Sequence, residues 1–400
     1  MSGDILFLAH RIPYPPNRGD KIRSWNILKH LASLGRVHLA CFADDEADAA
    51  HLPALRDALG GRLGEAHVEI RRTSRAVAGA RALLTGKPVS LTLFDSGAMR
   101  GFVHRLLARG EIGTVFAFSG QMAQFVPPGT HLVMDFVDMD SAKFEAYGAN
   151  GGPLAAVHRR EAAKLFAFER ETARRAAISL FVSDAEADLF RSRAALPGAD
   201  IRALHNGVDL DFYRPGAVEP VAALPGPLIV FTGQMDYAPN IDAVSWFAGE
   251  VLPRLPGAHF AIVGRNPADA VTALASSRVT VTGAVDDIRA WLAAADVVAA
   301  PLRIARGIQN KVLEAMAMGC PVVASPAAFE GVEAEPGREL LVADGAQAQA
   351  DAIAGLLADP PRARALGAAG RARMEAAYAW DARLAPLAAM VGAQARKAAA

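Results

Sequence analysis

The chain has 400 residues but only two cysteines, Cys41 and Cys320. Neither has a second Cys or a His at ligand spacing, so a disulfide framework and a zinc site are not expected. Net charge is also missing: Lys plus Arg is 42 and Asp plus Glu is 42. A whole-chain positive field is therefore excluded, and no nucleic-acid partner is expected. No uninterrupted apolar stretch approaches the roughly 20 residues of a membrane span. The opening MSGDILFLAH has no basic segment before its short apolar run, so it reads as a first strand and not as a secretory signal. The expectation is a cytoplasmic protein. Three catalytic fingerprints are missing too: the Gly-x-Ser-x-Gly elbow, the P-loop and Gly-x-Gly-x-x-Gly. That counts against hydrolase, nucleoside-triphosphatase and dehydrogenase readings.

What is present is apolar mass in a regular pattern. The apolar fraction is 52% and the charged fraction 21%, enough for a large core. At this length two or three domains are expected. Short apolar runs at 5–9, 37–42, 67–70, 114–118, 131–137, 178–183 and 201–204 predict strands, with helical spacings between them. In the first of those helices Ile22, Trp25, Leu28 and Leu31 recur at helical intervals and Gly35 stops the pattern. Residues 214–226 are rich in Pro and Gly and read as a linker. The pattern then restarts, with strands expected at 227–233, 259–264, 279–283, 296–301, 321–325 and 339–343. Alternating strands and helices imply α/β architecture: two doubly wound, Rossmann-like domains, at 1–212 and 213–378. Their carboxyl strand edges would face a common cleft. Residues 379–400 would form a helical tail packing back on the first domain.

Two segments carry chemistry. HNGVD (205–209) is an Asn-Gly turn with Asp209 able to accept from nearby amides, or an ordinary strand-to-linker turn. GIQNKVLEAMAMGCPVVAS (307–325) opens at Gly307, runs through a helix and ends it at Gly319. Free N–H groups at that helix start suit a diphosphate. Arg306 and Lys311 can add charge-assisted contacts. Glu314, one turn further in, can accept from the vicinal hydroxyls of a ribose; a solvated Glu–Lys face is the plain alternative.

In this order these segments resemble the GT4 family of GT-B glycosyltransferases, and more narrowly the sugar transferases of PEP-CTERM and exopolysaccharide systems. NGVDLDFYRP, FTGQMDYAPNIDAVSWF, VTGAVDDIRAWLAAADVVAAPLR, KVLEAMAMGCPVVAS and PYPPNRGDKIRSWNILKHL carry the resemblance. It implies a nucleotide-diphosphate sugar donor on the second domain, an acceptor on the first, and no metal or other cofactor. Glu314 matches the second Glu of the family's E-x7-E motif, the ribose ligand; Arg306 stands where the first Glu would be. The family often binds diphosphate with cations after the first strand of the second domain. Here that stretch, Gly233 and Gln234 up to Asn240, has none, so Arg306 and Lys311 are the replacement candidates. Val285 falls where the family's backbone pairs with the nucleobase.

In the first domain, Arg18, Gly19 and Asp20 fill the loop after the first strand. Gly19 permits close approach of backbone to the donor, and Asp20 can cap the following helix. Arg18, Lys21 and Arg23 form a basic cluster that either faces phosphate of donor or acceptor or is a solvated helix start. Asp138 and Asp140 imitate a D-x-D metal motif. The GT-B resemblance points away from a metal and toward these carboxylates orienting a sugar hydroxyl or stabilising positive character at the anomeric carbon; the plain alternative is helix capping. Arg306 is grouped with them as catalytic. The implied reaction is a retaining transfer of a sugar to an acceptor hydroxyl, the acceptor being a lipid-linked saccharide or another glycan in exopolysaccharide biosynthesis. The alternatives are a GT-B UDP-sugar 2-epimerase and a non-catalytic nucleotide-sugar-binding protein. Peripheral contact with an anionic inner membrane face is expected from residues 71–87, with Arg71, Arg72, Arg75, Arg81 and Lys87 among Ala and Leu; a solvated surface is the alternative. Residues 159–175 read as solvated, with Glu161, Glu169 and Glu171 as ion-pair partners.

Overall fold

A computed structural model describes residues 3–149, 154–305 and 308–392. The chain divides into two compact units. One takes in Met1–Asn206 and the chain from Arg383 onward; the other is Gly207–Ala382. The first contains strands β1 (Asp4–Ala9), β2 (Val37–Ala43), β3 (Leu63–Ile70), β4 (Ile112–Phe118), β5 (Leu132–Val137), β6 (Ile178–Phe181) and β7 (Ile201–Ala203). They form one sheet in the order β3-β2-β1-β4-β5-β6-β7, parallel throughout. The second unit contains β8 (Leu228–Thr232), β9 (His259–Val263), β10 (Val279–Val281), β11 (Val297–Ala300), β12 (Val322–Ala324) and β13 (Leu341–Val342). Their order is β10-β9-β8-β11-β12-β13, again parallel. Every strand anticipated from the apolar runs is present. The reason is burial: β2, β8, β9 and β11 are buried at every residue, as strands covered on both faces must be.

Strand order reverses between β1 and β4 in one unit and between β8 and β11 in the other. In open parallel sheets ligands bind beyond the carboxyl ends of the strands at such reversals. Helices α1 (Gly19–Leu34), α2 (Arg75–Thr85), α3 (Asp140–Ala149), α4 (Ala155–Arg175), α5 (Asn310–Ala317) and α6 (Pro360–Ala377) matter below. α1 follows β1 and α5 follows β11, so each starts beside one of these reversals.

Three expectations need correction. The boundary falls at Asn206/Gly207 and not at 212/213. The NGVD segment is tied into the second unit, with Val208 N–H donating to the Tyr378 carbonyl at 2.7 Å and Arg371 donating to the Tyr213 carbonyl at 2.5 Å. The chain returns to the first unit at Arg383. There Thr114 Oγ1 donates to the Val391 carbonyl at 3.2 Å and Leu387 is fully buried. Second, Ile22 is exposed while Lys21 and Arg23 are buried on α1, because the carboxylates of Asp48 and the buried Asp135 draw those two cations inward. Third, Glu161 and Glu169 are buried and not solvated. Glu161 accepts from the N–H groups of Val89 (2.7 Å) and Ser90 (2.8 Å), and Glu169 from that of Ser141 (3.0 Å). Each carboxylate thus satisfies free amides at the start of a neighbouring helix.

Candidate active site

In the second unit the site begins with two glycines at strand ends. Gly264, after β9, has φ +153, and a Cβ on it would lie 1.6 Å from the Gly233 carbonyl oxygen. Only glycine permits that approach. A Cβ on Gly233, after β8, would meet Asn240 Nδ2 at 2.8 Å and Lys311 Nζ at 3.2 Å. The bare backbone at Gly233 therefore makes room for the Lys311 ammonium arriving from the first turn of α5. Lys311 Nζ donates to Asn240 Oδ1 at 2.5 Å and sits 4.1 Å from the centroid of the buried Phe231 ring. Asn240 is fixed in turn, its Nδ2 donating to the Gln234 carbonyl at 2.8 Å.

Lys311 has no carboxylate within ion-pair distance among the described residues. Burial pushes its ammonium down to about 7, with only the charge of Glu314 opposing. A half-buried cation beside a helix start and bare strand-end backbone is an arrangement whose chemistry suits an anion. One turn along α5, burial pushes the Glu314 carboxyl up, opposed by a hydrogen bond from the Tyr213 hydroxyl and by Lys311. Tyr213 is itself held. Arg371 binds its carbonyl, and next to it the Arg289 guanidinium lies 3.8 Å from the Phe212 ring centroid and donates to the Phe212 carbonyl at 3.0 Å.

The structure thus brings together Gly233, Gln234, Lys311 and Glu314. Val285 packs half-buried against the same core. Arg306 and Gly307 lie outside the described residues. Sequence reading missed Tyr213, Asn240 and Arg265. The exposed Arg265 follows β9, and its Nη2 lies 3.5 Å from Gln234 Oε1. The loop after β8 has no cation of its own, and the loop of the neighbouring strand places Arg265 beside it. Its signal was the Gly-Arg pair at a strand end, one strand over from where the family pattern directs attention.

In the first unit, Asp20 does not cap α1; the residue before the helix is Arg18, and no side chain caps it. Asp20 instead gathers two arginines and an imidazole: Arg18 Nε at 2.8 Å, Arg11, and His10 Nε2 at 3.3 Å. Burial pushes the Asp20 carboxyl up, but His10, Arg11 and Arg18 outweigh it and hold it well below the usual carboxylate range. A Cβ at Gly19 would meet nothing within 4 Å, so packing does not demand glycine there. Lys21 is corrected: it is buried and ion-paired to Asp48, a carboxylate partner in place of a phosphate. Arg23, 2% exposed, donates from Nε to Asp135 at 3.0 Å and from Nη1 to Asn206 at 2.8 Å. Of the basic cluster only Arg18 keeps an exposed side chain.

Asp138 and Asp140 follow β5. Lys143 reaches both, at 2.7 Å and 3.3 Å, so the pair is charge-compensated by a lysine. No group of three metal-ligating side chains occurs among the described residues. Val137, just before them, has φ +71. A β-branched residue with positive φ is a strained outlier of the kind that clusters at functional sites. Its N–H is held by Asp135 Oδ1 at 3.0 Å. The buried Asp135–Arg23 pair thus fixes the turn that presents Asp138.

Residues 226–359 match the family model described as glycosyl transferases group 1. A GDP-mannose-dependent alpha-(1-6)-phosphatidylinositol monomannoside mannosyltransferase of Mycobacterium tuberculosis is 33% identical over 233 residues, 52% of this chain and 60% of that protein. The chain thus spans about 60% of the length of that curated relative. Among solved structures, sucrose-phosphate synthase of Thermosynechococcus elongatus superposes with a TM-score of 0.65 at 18% identity, covering 97% of this chain and 98% of that one. Anabaena HepE in complex with UDP gives 0.63 at 17% identity, over 98% and 100%. The fold is GT-B, with two Rossmann-like units, and the second unit carries the group 1 glycosyl transferase signature.

Proposed function

We propose that this protein is a glycosyltransferase that moves a sugar from a nucleotide-diphosphate sugar to an acceptor hydroxyl, with retention of anomeric configuration. The observation that carries the proposal is Lys311: a half-buried ammonium without a carboxylate partner among the described residues, beside Gly233 at the β8 end and one turn from Glu314. A diphosphate supplies the missing negative charge, and Glu314 takes the ribose hydroxyls in exchange for Tyr213. Leaving-group stabilisation by a cation and helix amides is what departure of a nucleoside diphosphate requires. In the first unit, Asp138 and Asp140 orient the sugar or stabilise its developing positive charge.

The name of the matched relative makes GDP-mannose the first donor to test, and the HepE complex makes a UDP-sugar the second. A lipid-linked saccharide acceptor in exopolysaccharide assembly at the cytoplasmic face fits the same reading. The test is a thermal-shift screen against GDP-, UDP-, ADP- and dTDP-sugars, followed by a transfer assay with product analysis. One donor at a hundredfold excess over its Kd is expected to stabilise the protein by about 2.7 kcal/mol. Glu314→Gln should raise the Kd for that donor. A chain that no nucleotide sugar stabilises is not a glycosyltransferase of this kind; binding without transfer or hydrolysis makes it a non-catalytic binder.

A further inference from the structure

The segment Arg71–Phe94 contains five cations, Arg71, Arg72, Arg75, Arg81 and Lys87, and no Asp or Glu, in a chain whose charges otherwise balance. Helix α2 lies inside it. Its contact with the body is made by two small residues, Ala78 and Ala82, both fully buried. The backbone there is clamped from outside the helix: Thr92 Oγ1 donates to the Ala78 carbonyl at 2.8 Å and Arg160 Nη2 to the Ala82 carbonyl at 2.8 Å. At 100° per residue, the positions opposite Ala78 and Ala82 are Ala76, Val77, Ala80, Leu83 and Leu84. The face turned away from the core is thus the apolar one. Leu84 is 88% exposed, Leu83 73% and Val77 46%. On the same wheel Arg81 stands at one edge of this face, and Arg75, exposed in the first turn, projects from the helix start on the side of Ala82. Arg71 and Arg72 have carboxylates nearby, in Asp44 and Glu46; Arg75, Arg81 and Lys87 have none within ion-pair distance among the described residues. One turn back from Arg160 on α4, Val157 is a further 51% exposed.

We propose that the outward face of α2 docks on an anionic lipid bilayer, with Leu83 and Leu84 inserted at the headgroup boundary and Arg75, Arg81 and Lys87 against phosphate headgroups. An apolar face pointing into solvent, flanked by cations at its edge and at both ends of the helix and free of acids, is the interfacial-helix pattern. A water-facing helix has the reverse arrangement, with polar residues outermost. A protein partner would have to match three unpaired cations with acids of its own, whereas an anionic leaflet offers that charge everywhere. The proposal stands on this surface alone and does not depend on the transfer reaction.

The test is co-sedimentation of the full-length protein with phosphatidylcholine vesicles carrying about a third phosphatidylglycerol, and with phosphatidylcholine alone. Binding to the anionic vesicles is expected, weakening in high salt. Arg75→Glu with Arg81→Glu should lower the partition coefficient about thirtyfold or more, at about fivefold per cation near an anionic surface. Leu83→Asp with Leu84→Asp should abolish binding. All four side chains are solvent-facing, so each variant should keep the wild-type melting temperature, which is measured alongside. Wild-type protein that fails to sediment with anionic vesicles overturns the proposal. So does a Leu83→Asp/Leu84→Asp variant that binds as well as wild type. A concentration-dependent dimer dissolved by the same double substitution, without vesicle binding, overturns it in favour of a second copy of the chain.

Discussion

Lys311 offers the sharpest perturbation, because its predicted effects on stability and on binding have opposite signs. Burial lowers its ammonium from an ordinary 10.5 to about 7. That fall corresponds to roughly 5 kcal/mol of unfavourable charge burial, at about 1.4 kcal/mol per pH unit. The sign follows from proton counting. Between about pH 7 and pH 10.5 the unfolded chain holds a proton on this lysine that the folded chain has released. Raising the pH across that window therefore favours the fold; below about pH 7 both states are protonated and the penalty is complete. Lys311→Met keeps the apolar contact with Phe231, removes the charge and forfeits the hydrogen bond to Asn240, worth about 1 kcal/mol. The variant is expected to be more stable than wild type by about 3 kcal/mol at pH 7, several degrees in Tm for a unit of this size. Its advantage should shrink steadily toward pH 10.

The same substitution should cripple binding of a nucleoside diphosphate, since the anion loses its buried cation. In wild type, a bound diphosphate restores the ordinary basicity of Lys311, so binding at pH 8 should take up close to one proton. Thermal melts of both proteins from pH 7 to 10 read the first effect. Calorimetric titration in two buffers of different ionisation heat reads the second. A stability difference that does not change with pH, or a Lys311→Met protein that binds every nucleotide diphosphate as tightly as wild type, refutes the reasoning.

Arg23→Ala should cost about 3–5 kcal/mol in urea unfolding, because it strands the fully buried Asp135 carboxylate; Arg23→Met combined with Asp135→Leu should cost less than the single change. Gly264→Ala puts a Cβ 1.6 Å from the Gly233 carbonyl oxygen, so soluble yield and cooperative melting should be lost. Gly19→Ala, with open space around its Cβ, should melt within about 0.5 kcal/mol of wild type.

The sheets were legible in the chain because parallel strands buried on both faces leave an uninterrupted apolar run that no polar alternation disguises. α1 was legible only as a helix. Its inner face includes Lys21 and Arg23, which hydropathy assigns outward and which Asp48 and Asp135 draw in. Those carboxylates lie on other elements, and no local period connects them. The same holds for Glu161 and Glu169, which read as partners for neighbouring arginines on α4 until a second helix start is placed against each.

The candidate site divides along the same physical line. Gly233, Lys311 and Glu314 could be picked out because strand ends and helix starts have local signatures, and their mutual placement follows from the strand reversal between β8 and β11. What completes the site is non-local. Tyr213 reaches Glu314 across a hundred residues of chain, and it does so because Arg289 and Arg371 pin the NGVD segment to the second unit. The boundary error at 212/213 and the missed Tyr213 are therefore one error. A linker is recognised by composition, but the residues just before it belong to whichever unit supplies their hydrogen-bond partners. Those partners, Tyr378 and Arg371, lie at and near the end of α6, far along the chain. A segment that closes one unit while holding that unit's buried carboxylate can be assigned only once the far end of the chain is in place.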